Sequence, residues 1–309
     1  MTEIYPRVSI ILVNYNGSNV VLNCLKSLRQ YLVSVPYEII VVDNCSTDKS
    51  ADLIEQTFTD IKLIRLDKNL GFGAGNNLGV KNASGDILFL LNTDTLFKDD
   101  ILPRLLSLLE SDQHIGIVGP RLLNADGSFQ LSTAEEIGIM GEFRTLKQVR
   151  KYRNSKERTE LAIAFGQTQT VDIVVGAALL IRKVTFEKVG GFDENFFMYF
   201  EESDLCQRVR DLGLKVVYTP EVSLVHIGGY SVGKEPNRMA LEYRRSQLYY
   251  YQKHRPVWEQ IILRFYLFLK FLITFLKSFD VTYLRFISVV INLREYPVVR
   301  PNPNRLHQQ

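Results

Sequence analysis

Short, near-continuous apolar runs recur along the first half of the chain, and each ends in polar residues. Val8-Ser9-Ile10-Ile11-Leu12-Val13 and Tyr37-Glu38-Ile39-Ile40-Val41-Val42 read as strands buried on both faces, with Ile61 to Leu66 as a third, shorter one. Ile87-Leu88-Phe89-Leu90-Leu91 has no polar position at all, the pattern of a strand in the middle of a parallel sheet. Between the first two strands, Val20, Val21, Cys24, Leu25, Leu28 and Leu32 recur at helical spacing. Ala51, Leu53 and Ile54 mark a second helix, with Ser46 or Thr47 as its cap. A third helix opens in Gly71-Phe72-Gly73-Ala74-Gly75. The resulting β-α-β-α-β-α-β alternation predicts an α/β fold, a mostly parallel, doubly wound sheet flanked by helices with right-handed crossovers.

Beyond it the pattern predicts a helix from Ile101 to Glu110 and a strand from Ile115 to Pro120. Residues 124 to 169 are polar and weakly periodic, a surface excursion with some helix whose role the pattern does not reveal. Val171 to Ile181 reads as one strand interrupted by Gly176, Ala177 and Ala178, as where a ligand or backbone comes close. A short helix over Val184 to Val189 and a tight turn at Gly190-Gly191-Phe192-Asp193 lead into Phe196-Phe197-Met198-Tyr199-Phe200, which runs directly into Glu201, Glu202 and Asp204. Strands from Leu214 to Tyr218 and from Glu221 to Val225 follow, the last ending at His226.

Ligands of such sheets sit at the carboxyl ends of the strands, so the polar residues there are the candidate chemistry. Asn92 and Asp94 close the all-apolar strand, and two-residue periodicity points both side chains the same way. A carboxylate and an amide so placed can hold a hard divalent cation that keeps most of its waters and shares a diphosphate. They equally suit a plain strand-to-helix turn, with Asp94 or Thr95 capping a helix that begins near Lys98. The glycines of Asn69-Leu70-Gly71-Phe72-Gly73-Ala74-Gly75-Asn76-Asn77 either bring free N–H groups to a phosphate or let helix and sheet pack closely. An acidic triplet at a helix start either complements the helix dipole or carries acid–base chemistry. Strand ends bearing Asp43, Asp94 and His226, together with the acidic cluster, point to a shared site rather than to four separate turns.

Composition narrows the class. With 309 residues, 46% of them apolar, the chain can form one large domain or two small ones. Cys24, Cys45 and Cys206 lie in no CxxC or CxxH spacing, which argues against a disulfide framework or structural zinc and for a reducing compartment. The start, from Met1 through Glu3 and Pro6 to a strand, lacks the pattern of a signal peptide. The net charge of +3 is unevenly spread: residues 246 to 309 hold nine Lys and Arg against three Asp and Glu, and 13 of the 34 aromatics. That shift places a boundary near residues 240 to 256, and predicts a domain over 1–250 with a basic, aromatic-rich helical extension over 251–309. Within Trp258 to Ser278, Arg264, Lys270 and Lys277 leave no charge-free run of the ~18 residues that a spanning helix needs. Glu259, Lys270 and Lys277 share a helix face while Phe265, Leu269, Leu272 and Leu276 crowd others, as in a helix lying in a membrane interface. The alternative is a helix packed on the preceding domain or on a second subunit.

Seven segments in order, Val13-Asn14-Tyr15-Asn16, Val42-Asp43-Asn44-x-Ser46-x-Asp48, Asn69-x-Gly71-Phe72-Gly73-x-Gly75-x-Asn77, Asn92-Thr93-Asp94, Gly190-Gly191-Phe192-Asp193, Phe197 to Cys206 and His226-x-Gly228-Gly229-x-Ser231, closely resemble family 2 glycosyltransferases of the GT-A fold, in their rhamnosyltransferase-like branch. The resemblance covers about residues 6 to 253. It implies an inverting, metal-dependent hexosyltransferase that moves a sugar from a nucleoside-diphosphate donor to a hydroxyl of a glycan or lipid-linked glycan, in cell-surface polysaccharide synthesis. It implies Glu202 as catalytic base, where the family commonly has Asp, with Glu201 and Asp204 shaping its pKa or binding acceptor. Asp94 matches the metal-binding carboxylate of the family's DxD motif, whose first carboxylate is Asn92 here, and His226 matches a second metal or diphosphate contact. Asp43 resembles the reader of the nucleobase imide, beside the backbone of Val13, Asn14 and Tyr15. Asn69, Gly71 and Asn77 would pack around base and ribose, Asn92 and Thr93 would face the donor, and Gly176 and Ala177 resemble the sugar-side wall.

The implied cofactor is Mg²⁺ or Mn²⁺ and the implied donor dTDP-rhamnose, with UDP-sugars next. The expected partners are a glycan or lipid-linked acceptor, a membrane surface and a second copy through the C-terminal helices, with no nucleic acid. The expected location is cytoplasmic, peripheral to the inner face of the cell membrane. Two rivals remain: a nucleotidyltransferase, although Asn14-Tyr15-Asn16-Gly17-Ser18 lacks the basic phosphate loop of that class, and a catalytically impaired sugar-nucleotide scaffold, for which Asn92 and Glu202 speak.

Overall fold

The computed structural model describes residues 7–228 and 236–292. Gly229 and Ser231 of the His-x-Gly-Gly motif lie outside the described residues. The chain divides into two compact units, Met1–Tyr243 and Arg244–Gln309.

In the first unit, β1 (Val8–Asn14), β2 (Tyr37–Asp43), β3 (Lys62–Arg65) and β4 (Ile87–Leu91) alternate with α1 (Ser18–Tyr31), α2 (Ser50–Thr57) and α3 (Phe72–Lys81). After β5 (Thr95–Leu96) come α4 (Leu102–Ser111), β6 (Ile115–Leu123), β7 (Phe129–Gln130) and β8 (Thr133–Ala134). The polar excursion then forms α5 (Ile139–Arg153) and α6 (Ser155–Ala164) before β9 (Gln169–Val171), β10 (Ile173–Val174) and β11 (Ala178–Arg182). The unit continues with α7 (Lys183–Lys188), α8 (Glu201–Asp211), β12 (Lys215–His226) and the start of α9 (Pro236–His254).

Strand order β3-β2-β1-β4-β11-β6-β12-β5 puts the all-apolar β4 at the centre, parallel to β1 and antiparallel to β11. Alternation along β1 and β4 feeds two cores. Ile10, Leu12, Phe89 and Leu91 pack with Val21, Leu25 and Leu28 of α1 and with Leu102, Leu105 and Leu109 of α4. Ile11, Leu88 and Leu90 pack on the other face with Val80, Phe186, Leu205 and Val209 from α3, α7 and α8. Each such side chain contributes about 1.5–3 kcal/mol on full burial, so both faces of the sheet are secured and the strand ends are held in register.

The sequence reading departs from the structure at four places. The segment 171–181 is three short strands, because β9 pairs with β12, β10 with β8, and β11 with β4 and β6. The two strands expected after Leu214 are one, β12, with a register irregularity between Thr219 and Ser223 where Pro220 interrupts the ladder. Neither Ser46 nor Thr47 caps α2; Lys49, at φ 63°, precedes it, and Asp48 accepts from Ser50 N–H at 3.1 Å and from Ser18 N–H of α1 at 2.9 Å. Finally, no helix starts near Lys98. Thr95 instead joins the sheet opposite His226, so neither it nor Asp94 is a helix cap.

The second unit contains the rest of α9, then α10 (Val257–Ser278) and α11 (Thr282–Ile291). The last two form an antiparallel hairpin: Phe271 stacks on Phe286, centroids 4.9 Å apart, and the Arg264 guanidinium donates to the Val290 carbonyl.

Candidate active site

The strand registers bring the candidate residues to one edge of the sheet. Asn14 at the end of β1 lies opposite Asp43 at the end of β2. Leu91, last in β4, faces Ala178, first in antiparallel β11. His226, last in β12, faces Thr95. Since β12 runs parallel to β6 and β6 antiparallel to β11, the ends of β1, β2, β4 and β12 all open on the same side.

The first part of that edge is a laced pair of loops. Asn14 is buried, and its Nδ2 lies within 2.9 Å of Asp43 Oδ1, 3.2 Å of Ser46 Oγ and 2.8 Å of Ser50 Oγ. The other Asp43 oxygen accepts from Ser46 N–H at 3.0 Å. Tyr15 stands half-exposed beside this pair, and Val13 packs against Gly75. The glycines of α3 serve packing: a Cβ on Gly75 would sit 2.8 Å from Val13, and one on Gly79 2.5 Å from Ile11.

Asn69 Oδ1 accepts from Gly71 N–H at 2.9 Å, closing a local turn. Gly71 has φ +89°, and any Cβ there would lie 2.4 Å from the Phe197 carbonyl, so only glycine fits. Asn44, buried and given no role of its own by the sequence, locks this crossing: its Nδ2 donates to the Gly71 carbonyl at 3.0 Å and its Oδ1 accepts from Leu70 N–H at 2.8 Å. The donor-side loop and the loop before α8 are thereby fixed to each other. Asn77 Oδ1 accepts from Phe192 N–H, and its Nδ2 donates to the Phe192 carbonyl and to Glu194, so it staples the Gly190-Gly191 turn to α3.

Asn92 to Asp94 form a turn in which Thr95 Oγ1 donates to the Asn92 carbonyl at 2.8 Å, so strand alternation does not govern their side chains. The Asn92 N–H extends the β4–β11 ladder to the Ala177 carbonyl at 2.9 Å, which sets Gly176 and Ala177 beside Asn92 and Thr93. Asp94 Oδ1 lies 3.3 Å from His226 Nε2, with only 13% and 14% of the two side chains exposed. The backbone holds the pair, since Ile227 N–H donates to the Asp94 carbonyl at 2.9 Å. One carboxylate oxygen and one imidazole nitrogen this close, with an amide in the same turn, fit a divalent cation that takes its other ligands from water and a diphosphate. Among the described residues no group of three or more His, Cys, Asp or Glu side chains is placed to hold a metal alone.

The acidic cluster sits at the start of α8, after Tyr199 and Phe200, both in left-handed conformation at φ 69°. Two consecutive non-glycine residues there cost of order 1–3 kcal/mol each. Around them, Tyr243 meets both rings edge-on and Arg238 lies over Phe197. The three carboxyls are not equivalent. Asp204 is fully buried and bound by the Arg208 guanidinium at 2.6 and 2.8 Å, which in turn donates to the Val189 carbonyl. Glu201 is 5% exposed, and burial together with the neighbouring Glu202 charge drives its pKa well above the carboxylate range. Glu202 is less enclosed; burial raises its pKa, while backbone hydrogen bonds from its own amide, Ser203 and Gly176 oppose that. Glu201 Oε2 and Glu202 Oε2 are both buried without a hydrogen-bond partner. The thiols of Cys24 and Cys206 are pushed up to about 12 by burial and are no nucleophiles.

Gly176 sets the position of Glu202. A Cβ at Gly176 would stand 3.2 Å from Glu202 Cβ and 3.6 Å from its carboxyl carbon. Gly176→Val should therefore displace the carboxyl and lower kcat about 10²-fold, the scale of an ångström misplacement. Initial-rate kinetics check this; unchanged kcat would show that the wall does not position Glu202.

Comparison with known proteins agrees with this geometry. A family model described as glycosyl transferase family 2 matches residues 9–189. The chain is 25% identical over 279 residues to an N-acetylglucosaminyl-diphospho-decaprenol L-rhamnosyltransferase of Mycobacterium tuberculosis, covering 84% of this chain and 87% of that one. It is 23% identical to the dTDP-rhamnosyl transferase RfbF of Shigella flexneri, covering 72% of this chain and 70% of that one. Among solved structures, a mannosyltransferase of Pyrobaculum calidifontis in complex with GDP-Man and Mn²⁺ shares the fold at TM-score 0.55 and 18% identity, over 81% of this chain and 64% of that one. The GT-A arrangement, the single sheet edge that gathers the strand-end residues, and the family model spanning more than half the chain lead to one statement: this protein is a glycosyltransferase that belongs to family 2.

Proposed function

We propose that this glycosyltransferase transfers rhamnose, with inversion, from dTDP-rhamnose to a hydroxyl of a lipid-linked glycan, using Glu202 as base and the Asp94–His226 pair as its divalent-cation site. The observation that carries the reading is that only one carboxyl of the acidic cluster suits a base. Asp204 is neutralised by Arg208 and Glu201 is the more deeply enclosed, whereas Glu202 is partly exposed and lies against Gly176 of the Gly176-Ala177 wall. Burial raises its pKa, which makes its carboxylate a stronger base than that of a solvated glutamate. Glu202 takes the proton from the acceptor hydroxyl as that oxygen attacks the anomeric carbon, while the sugar's bond to the diphosphate breaks on the opposite side. When bound, Mg²⁺ or Mn²⁺ supplies charge neutralisation for the departing nucleoside diphosphate. Asp94 and His226 hold it; Asp43 and the β1 end hold the nucleobase; Asn92 and Thr93 lie where donor phosphates would pass. Rhamnose and a lipid-linked acceptor are supported by what the relatives' names state of those proteins. A thermal-shift panel of dTDP- and UDP-sugars with Mn²⁺ tests the donor: the largest shift should come from dTDP-rhamnose, and a larger shift with another sugar would replace it.

The working division is a catalytic domain over 1–250 and an extension over 251–309 that meets the membrane from the cytoplasmic side. Among the described residues no helix is long and apolar enough to cross a membrane. On α10, Leu263, Leu267 and Phe271 are buried, while Trp258, Ile261, Ile262, Phe265, Leu269, Ile273 and Leu276 form an exposed row along the opposite face. Lys270 and Lys277 border that row, where long cationic side chains reach anionic headgroups. The chain should float with anionic liposomes at low salt, and Trp258→Glu with Phe265→Glu should leave it in the unbound fraction. Equal recovery of both unbound, together with dimer in sedimentation, would assign the row to a second copy instead.

A further inference from the structure

Gln130, which lies in the excursion whose role the sequence did not reveal, touches His226 twice. Its Oε1 is 2.8 Å from His226 Nδ1, and its Nε2 donates to the His226 carbonyl at 3.0 Å and to Asn124 Oδ1 at 3.0 Å. A backbone carbonyl can only accept, so the NH₂ side of the carboxamide must face it, and Oε1 must face the ring. An acceptor at 2.8 Å from Nδ1 requires the proton of neutral His226 on Nδ1, which leaves the Nε2 lone pair aimed at Asp94. This is the less populated tautomer of a free neutral imidazole, so the protein selects it.

The support behind Gln130 is itself fixed. Asn124 Nδ2 lies 2.9 Å from Ser128 Oγ, 2.9 Å from Tyr152 Oη and 3.2 Å from the Phe129 carbonyl. The turn beneath it closes through Asn124 N–H to the Ser128 carbonyl at 2.8 Å and Gly127 N–H to the Asn124 carbonyl at 2.9 Å. Gly228, at φ +69°, lies against His226 and Gln130 with room for contact only, a Cβ there falling 3.7 Å from the ring and 4.0 Å from Gln130 Nε2.

We propose that Gln130 is a positioning residue that fixes His226 as the Nδ1–H tautomer, so that Nε2 faces Asp94 as a ready acceptor for a divalent cation. The proposal rests on reading Asp94 and His226 as the cation pair. A bare carboxylate oxygen and an imidazole lone pair 3.3 Å apart repel, and that arrangement persists only where a proton or a cation resolves it. Gln130 keeps the proton of the neutral ring on Nδ1, which leaves Nε2 open to a cation.

The test uses the full chain labelled with ¹⁵N-histidine, whose four histidines are few enough to assign with His226→Asn. Long-range ¹H–¹⁵N spectra of the metal-free protein above the histidine titration range should show His226 protonated on Nδ1. Gln130→Leu should shift it towards the Nε2–H form and weaken binding of Mn²⁺ with dTDP, read by calorimetry, by about 10–100-fold. Gln130→Glu, which keeps an acceptor at Nδ1, should restore the wild-type tautomer. Nε2–H in the wild-type spectrum, or an unchanged spectrum in Gln130→Leu, overturns the proposal, and the wild-type measurement stands even where a variant fails to fold. Asp94→Ala separates the two readings: if it binds Mn²⁺ with dTDP as wild type does, the cation pair is wrong whatever tautomer His226 holds.

Discussion

Glu202→Gln is expected to reduce transfer by about 10² to 10⁴-fold while leaving donor affinity close to wild type, because a general base acts on the acceptor proton and not on the nucleotide. The neutral amide keeps the length and position of the side chain beside Gly176, so lost turnover reports lost basicity rather than lost shape. Asp204→Asn gives the contrast. It breaks the buried pair with Arg208 and should lower thermal stability, since an uncompensated guanidinium at 18% exposure is costly. If Asp204→Asn is inactive yet fully stable and Glu202→Gln turns over normally, the base is Asp204. The pH profile adds a sign. The base works as its carboxylate and burial raises its pKa, so kcat should fall as pH drops through a value above the usual glutamate range.

Asp94→Ala is expected to have the second-largest effect, loss of turnover that added Mn²⁺ restores only in part. With Asn92 in place of a second carboxylate, Asp94 is the single anionic side chain of its turn, and on the proposed cation site its removal would take away charge stabilisation worth several kcal/mol of barrier. His226→Ala should be milder, since a neutral ligand leaves the carboxylate in place. Initial rates across Mn²⁺ and Mg²⁺ concentrations, with and without chelator, measure both. Full wild-type activity in excess chelator would mark the Asn92 turn as metal-independent.

The sequence was most legible where burial dictates residue type. The apolar β1, β2 and β4 and the 3.6-residue spacing of α1 follow from the need to fill both faces of the sheet, and their ends announce Asn14, Asp43 and Asp94. What it hid was tertiary. The apolar run from Phe196 to Phe200 gives no sign that Tyr199 and Phe200 adopt positive φ, held among Gly71, Arg238 and Tyr243 from distant segments. The family resemblance set Asn77 near base and ribose, and nothing local showed that its amide binds Phe192, 115 residues away. Gln130 carried no local signal: it is one polar residue in a polar stretch, and only the pairing of β7 with β6 brings it under His226. Among Glu201, Glu202 and Asp204, what the sequence also hid is the pairing of fully buried Asp204 with Arg208, although their i,i+4 spacing was visible.

Nucleoside diphosphate release from dTDP-rhamnose with Mn²⁺, followed with and without a polyprenyl-diphosphate-linked sugar as acceptor, tests the proposed transfer most directly. The predicted result is release of dTDP that requires both the acceptor and the metal, matched by one sugar added per dTDP formed. Release of pyrophosphate, or donor binding with no product in the presence of acceptor, would contradict it.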